Sequence, residues 1–398
     1  SNAKGHTFRA TVSWEGNGLA SQTVTTALDM CPSVELEIPD TQVHLWAAGE
    51  GNLYDIELEL IDANGVCVDR AMSYAGMRSV SIDGMAVKLN GKNVFQRQVL
   101  DQGYYPDGIL TAPSEQALID DIELSLKAGF NSARLHQKVF EERFLYHCDR
   151  MGYLVWGEYG DWGIDRDCPP AMMITEWLEV LERDFNHPSI VGWCPLNETH
   201  WARSEEIQKL DDVTRGMFLA AKAMDPTRPV LDASGYAHRV PETDVYDSHD
   251  YEQVPEKMAA NHDKMDQGEP FINDFGDGVL NLPWEGQPYF VSEFGGIWWV
   301  PGGAAEEENS WGYGNRPKDI EEWYDRFDKL CTILLQNENM FGYCYTQLTD
   351  VWQEENGVYM FDRTEKFDMA RVAKSQMQVA AIEKLDGCCD CECNGGCS

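Results

Sequence analysis

Gly129-Phe130-Asn131-Ser132-Ala133-Arg134-Leu135-His136, continued by Met151-Gly152-Tyr153-Leu154-Val155-Trp156-Gly157-Glu158, is the stretch that decides the fold. Each part carries a short apolar run that ends on polar side chains: Arg134 and His136 in the first, Glu158 in the second. Residues 141–150 between them read as a helix, which makes the segment strand, helix, strand. The same alternation extends outward. Apolar runs at 94–100, 131–135, 153–156, 190–196, 229–231, 245–247, 289–292 and 341–348 are strand candidates. Helical stretches at 114–128, 141–150, 172–185, 210–224 and 320–335 lie between several of them. His187-Pro188 and Asp225-Pro226 mark helix ends, because proline cannot supply the next helical hydrogen bond. Repeats of this kind over the rest of the chain predict an α/β fold, a (β/α)8 TIM barrel rather than an open sheet.

Up to about residue 83 the period changes. Runs at 7–14, 33–38, 53–61, 66–69 and 79–82 are β-rich, and Glu15-Gly16-Asn17-Gly18, Pro39-Asp40 and Asp62-Ala63-Asn64-Gly65 break them. Ile56, Leu58 and Leu60 share one face of their strand while the acids share the other. The expectation is a small antiparallel β-sandwich over residues 4–83, the barrel over 84–386 and a Cys-rich tail over 387–398.

The 398 residues include 68 Asp+Glu against 31 Lys+Arg, a formal net charge of −37. So acidic a surface repels phosphate backbones and anionic headgroups, so neither nucleic acid nor a membrane is an expected partner. No apolar run approaches the roughly 20 residues that cross a bilayer. With 43% hydrophobic and 11% aromatic residues, a large core is available and bulk disorder is excluded. Ser1-Asn2-Ala3 reads as an expression scar with no signal peptide after it. Cys31, Cys67, Cys148, Cys168, Cys194, Cys331 and Cys344 are scattered as buried thiols would be, which points to a reducing compartment and hence the cytoplasm. Cys388, Cys389, Cys391, Cys393 and Cys397 crowd the end without a standard zinc spacing and read as a flexible tail.

The C-terminal ends of barrel strands converge on one face, where active sites are built. Glu158, Glu198 and Glu293 each follow an apolar strand, Arg134 and His136 close the second, and His249, Asp250 and Tyr251 follow the sixth. Two convergent carboxylates are what glycoside cleavage requires, one protonated to release the leaving oxygen and one ionised. Trp162, Trp201, Trp298, Trp299, Trp311 and Trp352 lie on or near segments after strands, where flat rings suit sugar faces. No Walker, dinucleotide, His-Glu-x-x-His or Gly-x-Ser-x-Gly motif competes.

Further pieces fit one pattern: His44-Leu45-Trp46 through Asn52-Leu53-Tyr54, then Tyr74-Ala75-Gly76-Met77-Arg78, Leu89-Asn90-Gly91-Lys92, and Gly129 to His136 continuing to Cys148-Asp149-Arg150-Met151-Gly152. In this order they resemble glycoside hydrolase family 2, which includes β-galactosidases, β-glucuronidases and β-mannosidases. The resemblance implies an immunoglobulin-like domain before the barrel and a retaining β-glycosidase. It implies that Glu198, in Asn197-Glu198, is the general acid/base and that Glu293, in Ser292-Glu293-Phe294-Gly295-Gly296, is the nucleophile. Asn197 would meet the sugar 2-hydroxyl and Arg134 would support the nucleophile. His136, Glu158, His249, Tyr251, Tyr345 and Trp352 complete the expected substrate-binding set.

The family's usual N-terminal jelly-roll is not among these pieces, which would leave the pocket more open. Glu158-Tyr159-Gly160-Asp161 lacks the histidine of the family's metal-dependent members, so neither metal nor other cofactor is expected. Asn90-Gly91-Lys92 spells the uronate-binding Asn-x-Lys but at the barrel entry, and late in the chain only Asn315-Arg316-Pro317-Lys318 comes near it. A neutral sugar, galactose ahead, is the expected substrate, and a homo-oligomer stays open. A glycan-binding protein on a decayed barrel and a metal-handling protein centred on the tail are the competing readings.

Overall fold

β1 (Thr7–Trp14) and β2 (Asn17–Thr25) form a hairpin whose two turn residues, Glu15 (φ 48°) and Gly16 (φ 78°), both have positive φ, as the twist of a tight hairpin demands. The computed structural model describes residues 5–26, 33–160, 170–198, 207–236, 238–273, 281–303 and 310–385. Cys31, Trp162, Cys168, Trp201 and the five tail cysteines lie outside the described residues. β3 (Tyr54–Ile61) and β4 (Cys67–Ala75) complete an antiparallel sheet in the order β2-β1-β3-β4. Ala10 and Val12 are buried and face Leu58 and Ile56 across the ladder. Two acids of β3 are paired: Glu59 takes Arg9 at 2.6 Å and Arg70 at 3.3 Å, and Glu57 takes Arg70 at 3.0 Å.

Two expected strands differ. Residues 33–38 form no ladder. The run expected at 79–82 is β5 (Val80–Asp83), which pairs with β6 (Ala86–Leu89) and through it with β7 (Lys92–Asn93) in a separate sheet leading into the barrel. The N-terminal sheet is fastened to the barrel by polar bonds. Trp46, fully buried, donates to the Asp149 carbonyl at 2.6 Å, and the Tyr74 hydroxyl donates to the Asp149 carboxylate at 2.8 Å. Arg78 donates to the carbonyls of Pro188 and Ile190.

The barrel runs β8 (Gln96–Asp101), α1 (Glu115–Lys127), β9 (Ser132–Leu135), α2 (Glu142–Met151), β10 (Leu154–Glu158), α3 (Pro170–Asp184), β11 (Ile190–Cys194) and α4 (Ile207–Met224). It continues with β12 (Tyr246–Asp250), α5 (Pro255–His262), β13 (Tyr289–Phe294), α6 (Ile320–Leu335), β14 (Met340–Tyr345), α7 (Met369–Gln376) and α8 (Ala381–Lys384). Seven strands form one parallel sheet in the order β11-β10-β9-β8-β14-β13-β12. The segment expected as the fifth strand, 229–231, lies beside β11: Trp193 donates to the Pro229 carbonyl at 3.0 Å and Leu231 donates back at 2.9 Å. Asp244, just before β12, donates to the Val230 carbonyl at 2.9 Å, so this segment links β11 to the β12 side of the ring.

Helix starts follow their caps. Ser114 accepts from the Ala117 amide ahead of α1, and Asp319 accepts from Glu322 ahead of α6. Inside the barrel Trp156, Phe290 and Phe341 pack ring on ring at 4.9–6.4 Å, and the Trp156 indole donates to Gln96 at 2.7 Å. This apolar plug leaves the opposite, C-terminal ends of the strands for polar groups. No helix among the described residues is long and apolar enough to cross a membrane.

Candidate active site

Arg134 organises the site. It sits on β9, completely buried, and a buried guanidinium must find acceptors for its fixed fork of donors. It finds Glu158 at 2.5 Å, the Ser292 carbonyl at 2.8 Å, Glu293 at 3.1 Å and the Asn197 side-chain oxygen at 2.8 Å. Three other strand ends, those of β10, β11 and β13, are thereby tied to one cation on β9. The partners push the Arg134 pKa up although burial opposes it.

Glu293, on β13, is buried and receives three further groups. The Tyr251 hydroxyl donates a short hydrogen bond to one oxygen, His249 Nδ1 lies 3.4 Å from that same oxygen, and His136 Nδ1 lies 3.8 Å from the other. Burial raises the Glu293 pKa, His249 and Arg134 pull it down, and the neighbouring Glu198 adds to the rise. Tyr251 is held flat by Tyr313, ring centroids 3.4 Å apart and planes within 3°.

Glu198 follows β11 with φ at 51°. The left-handed region costs a side-chain-bearing residue roughly 1–2 kcal/mol, and such strain gathers at functional sites. Its amide is fixed on the Ser234 carbonyl at 2.8 Å, and its carboxylate meets His249 Nδ1 at 2.7 Å. Side-chain polar atoms of Glu198, His249 and Glu293 lie within 4.8 Å of one another. That separation matches a pair of carboxylates acting on opposite sides of one bond in a retaining displacement. It is too short to seat a water between them as inversion needs.

Several expected substrate contacts stand elsewhere. Glu158 is buried behind Arg134, its second oxygen taken by the Gln137 amide at 3.0 Å, so it holds the arginine instead of a sugar. Tyr345 is fully buried, its hydroxyl accepts from the Ile297 amide at 3.2 Å, and its ring blocks any side chain at Gly295. It braces the strand end from behind. Trp352 stands at the rim, 52% exposed, edge-on to Tyr104. Asp250, expected after the sixth strand, is part of β12 and faces outward to Asn261 and His262. His136 is held near Glu158 and Glu293, and burial beside Arg134 keeps its pKa well below the ordinary value.

Removing the central cation leaves two buried carboxylates without it. Arg134→Met is expected to destabilise the fold by about 3–5 kcal/mol. Arg134→Lys, a point charge without the fork, should fall between the two. Denaturant unfolding of both variants measures this; equal stability of Arg134→Met and the parent would show that the fork is dispensable.

Residues 89–381 match the family described as glycosyl hydrolases family 2, TIM barrel domain, and residues 1–78 match glycosyl hydrolases family 2. The chain belongs to glycosyl hydrolases family 2. Within family 2 it is 29% identical over 245 residues to a β-galactosidase of Leuconostoc mesenteroides, an alignment covering 56% of this chain and 22% of the relative. The matched part is thus about a fifth of that protein's length. In fold it resembles an FMN-binding β-glucuronidase from Facaelibacterium prausnitzii L2-6, with TM-score 0.77, 19% identity, and 94% of this chain and 57% of the other covered. It also resembles a family 2 β-galacturonidase from Eisenbergiella tayi, with TM-score 0.70, 19% identity, and 95% and 68% covered.

Sequence reasoning missed part of this family 2 site. Ser234, His238, Asp247, Tyr313 and Glu354 all stand near the carboxylates or behind their partners, and of these only Asp247 ends an expected strand run. Asp247-Ser248-His249-Asp250 held the available signal: four polar residues inside a fully buried strand, with Asp247, His249 and Tyr251 alternating onto one face.

Proposed function

We propose that this chain is the catalytic part of a retaining β-glycoside hydrolase. The observation that carries the reading is the approach of Glu198 and Glu293, with ligand atoms within 4.8 Å, at the strand ends of a family 2 barrel. Glu293 attacks the anomeric carbon while Glu198 protonates the departing oxygen. Water, deprotonated by Glu198, then cleaves the glycosyl ester and the configuration is retained. Burial raises the Glu293 pKa and Arg134 and Tyr251 oppose that rise while aiming its oxygens, and Asn197, held by Arg134, is set for the 2-hydroxyl.

The favoured substrate is a neutral β-galactoside. The Leuconostoc relative carries that name, and a third carboxylate supports it. Glu354 is bonded by Asn356 at 3.0 Å, and burial together with the charge of Glu293 pushes its pKa up to about 7. Ionised Glu354 would repel a sugar carboxylate placed there, and the two could share the site only with a proton held between them. Arg316 does not offer an obvious counter-charge, because it lies over Trp298 and Trp299 and donates to the Val300 carbonyl. Chromogenic β-galactoside, β-glucuronide, β-mannoside and β-glucoside substrates test the reading, with the galactoside expected to be cleaved fastest and the first-formed sugar to be the β-anomer. A glucuronide preference would overturn the neutral-sugar part; an α-anomer first would overturn the mechanism.

A further inference from the structure

Behind the two carboxylates runs a chain of buried polar side chains that glycoside cleavage alone does not call for. His249 Nδ1 faces Glu198 at 2.7 Å and its Nε2 meets Ser234 Oγ at 2.9 Å. Ser234 Oγ donates to Asp247 at 3.1 Å, and Asp247 is bound on its other oxygen by His238 Nε2 at 2.8 Å. His238 Nδ1 ends the chain on Asp232 at 2.7 Å. Burial disfavours charge on His238, but Asp232 and Asp247 outweigh it and push its pKa up to about 10, so both its nitrogens donate.

That end of the chain fixes which nitrogen of His249 can change state. Asp247 accepts from His238, from the Gly235 amide and from Ser292. The Ser234 hydroxyl has two acceptors, Asp247 at 3.1 Å and Ser292 at 3.2 Å, and donating to either leaves its oxygen to accept from His249 Nε2–H. Nε2 keeps its proton throughout; Nδ1 alone gains or loses one, opposite Glu198. The ring cannot swing away, since a Cβ on Gly235 would lie only 2.6 Å from it, and Asn273 brackets the His249 backbone with bonds at 3.0 and 2.7 Å.

We infer that the acid proton of the resting enzyme belongs to the Glu198–His249 pair and that His249 is the positioning residue that stores it. This rests on the assignment of Glu198 as acid/base made above. With the proton on Nδ1, an imidazolium lies between two carboxylates; with it on Glu198, a neutral imidazole accepts from the carboxylic acid. Both forms carry the same charge. When the C1–O bond breaks and the Glu293–C1 bond forms, the leaving oxygen takes the proton from Glu198, which draws it across 2.7 Å from Nδ1. In the second step a water proton returns to the pair as the Glu293–C1 bond breaks.

The charged groups facing His249 from each side fit this. Glu198 comes from the end of β11 and Glu293 from β13; Arg134 and His136 come from β9. Tyr236 and Tyr251 stand with ring centroids at 5.4 and 6.5 Å, and Asp247 lies behind Ser234. Burial opposes a charge on His249, yet Glu293 and Glu198 outweigh it and Arg134, and its pKa rises above the ordinary value.

A proton shared between two sites is held more tightly than by either alone, so losing one site moves the alkaline limb of kcat/KM to lower pH. With an alkyl or sugar β-glycoside, His249→Gln should shift that limb down by at least about one pH unit and cut activity roughly tenfold above it. Ser234→Ala, which keeps the ring but cuts the bond to Nε2, should shift it less and in the same direction. With a dinitrophenyl glycoside, which departs without a proton, the loss in both variants should be clearly smaller than with the alkyl or sugar glycoside. Lower activity with the limb unmoved in both variants would overturn the inference and leave the two-carboxylate mechanism standing. Loss of that mechanism itself would appear as undiminished turnover in a Glu293 variant.

Discussion

Glu293→Gln is expected to reduce kcat by about four orders of magnitude or more, the scale on which a nucleophile acting as one unit with its partners fails when removed. The amide has nearly the same shape. Its oxygen can still accept from Arg134 at the position now 3.1 Å away, so the scaffold should survive. What disappears is the negative oxygen that must form a bond to the anomeric carbon. Stability gives an independent check with a definite sign. The folded state raises the Glu293 pKa, chiefly through burial, so ionising it works against folding; its contribution is favourable below the ordinary Glu value and fades as pH rises through the raised one. The neutral amide avoids that loss. At neutral pH the variant should therefore unfold no more readily than the parent, and its advantage should close as the pH falls below the ordinary carboxylate range. Folded protein with substrate turnover near the parental rate would remove Glu293 from the nucleophile's place. Inactive but destabilised protein would mean that Glu293 matters for packing and not for chemistry.

How far the sequence could reach is visible in the same residues. Strand ends were legible because an apolar run that stops at a charged residue has few structural explanations, and Arg134, Glu198 and Glu293 all satisfied that test. The roles of Glu158 and Tyr345 were not legible, since facing the pocket and standing just behind it leave the same one-dimensional trace. Only the Arg134 fork, which consumes Glu158, separates them. The fifth strand was readable as Pro229–Leu231 despite lacking regular pairing, because its apolar residues still fill the ring. The Asp232–His238–Asp247–Ser234 chain could not be read, because its members come from a loop and a strand with no periodicity between them. Short-range pattern finds elements; long-range hydrogen bonding decides which polar residues inside them meet.

Glu198→Ala is expected to show a different and more selective loss. A general acid contributes roughly 10²–10⁴-fold, and only where the leaving oxygen needs a proton. Cleavage of an alkyl or sugar glycoside should fall by about that factor, while the first step on a dinitrophenyl glycoside should be spared. With such a substrate the glycosyl-enzyme should accumulate, because water no longer has a base, and turnover should slow after a burst. Added azide, a small anionic nucleophile that needs no deprotonation, can enter the space the carboxylate leaves beside His249. It should restore turnover and release a β-glycosyl azide, the configuration that attack on the ester of Glu293 dictates. The backbone does not confuse the result. Glu198 already holds φ at 51°, and alanine there bears a similar strain of about 1–2 kcal/mol, so the cap on Ser234 should persist. If azide gave no rescue, or gave an α-azide, Glu198 would not stand opposite the nucleophile across the scissile bond. The 4.8 Å approach of the two side chains to each other through His249 would then need another explanation.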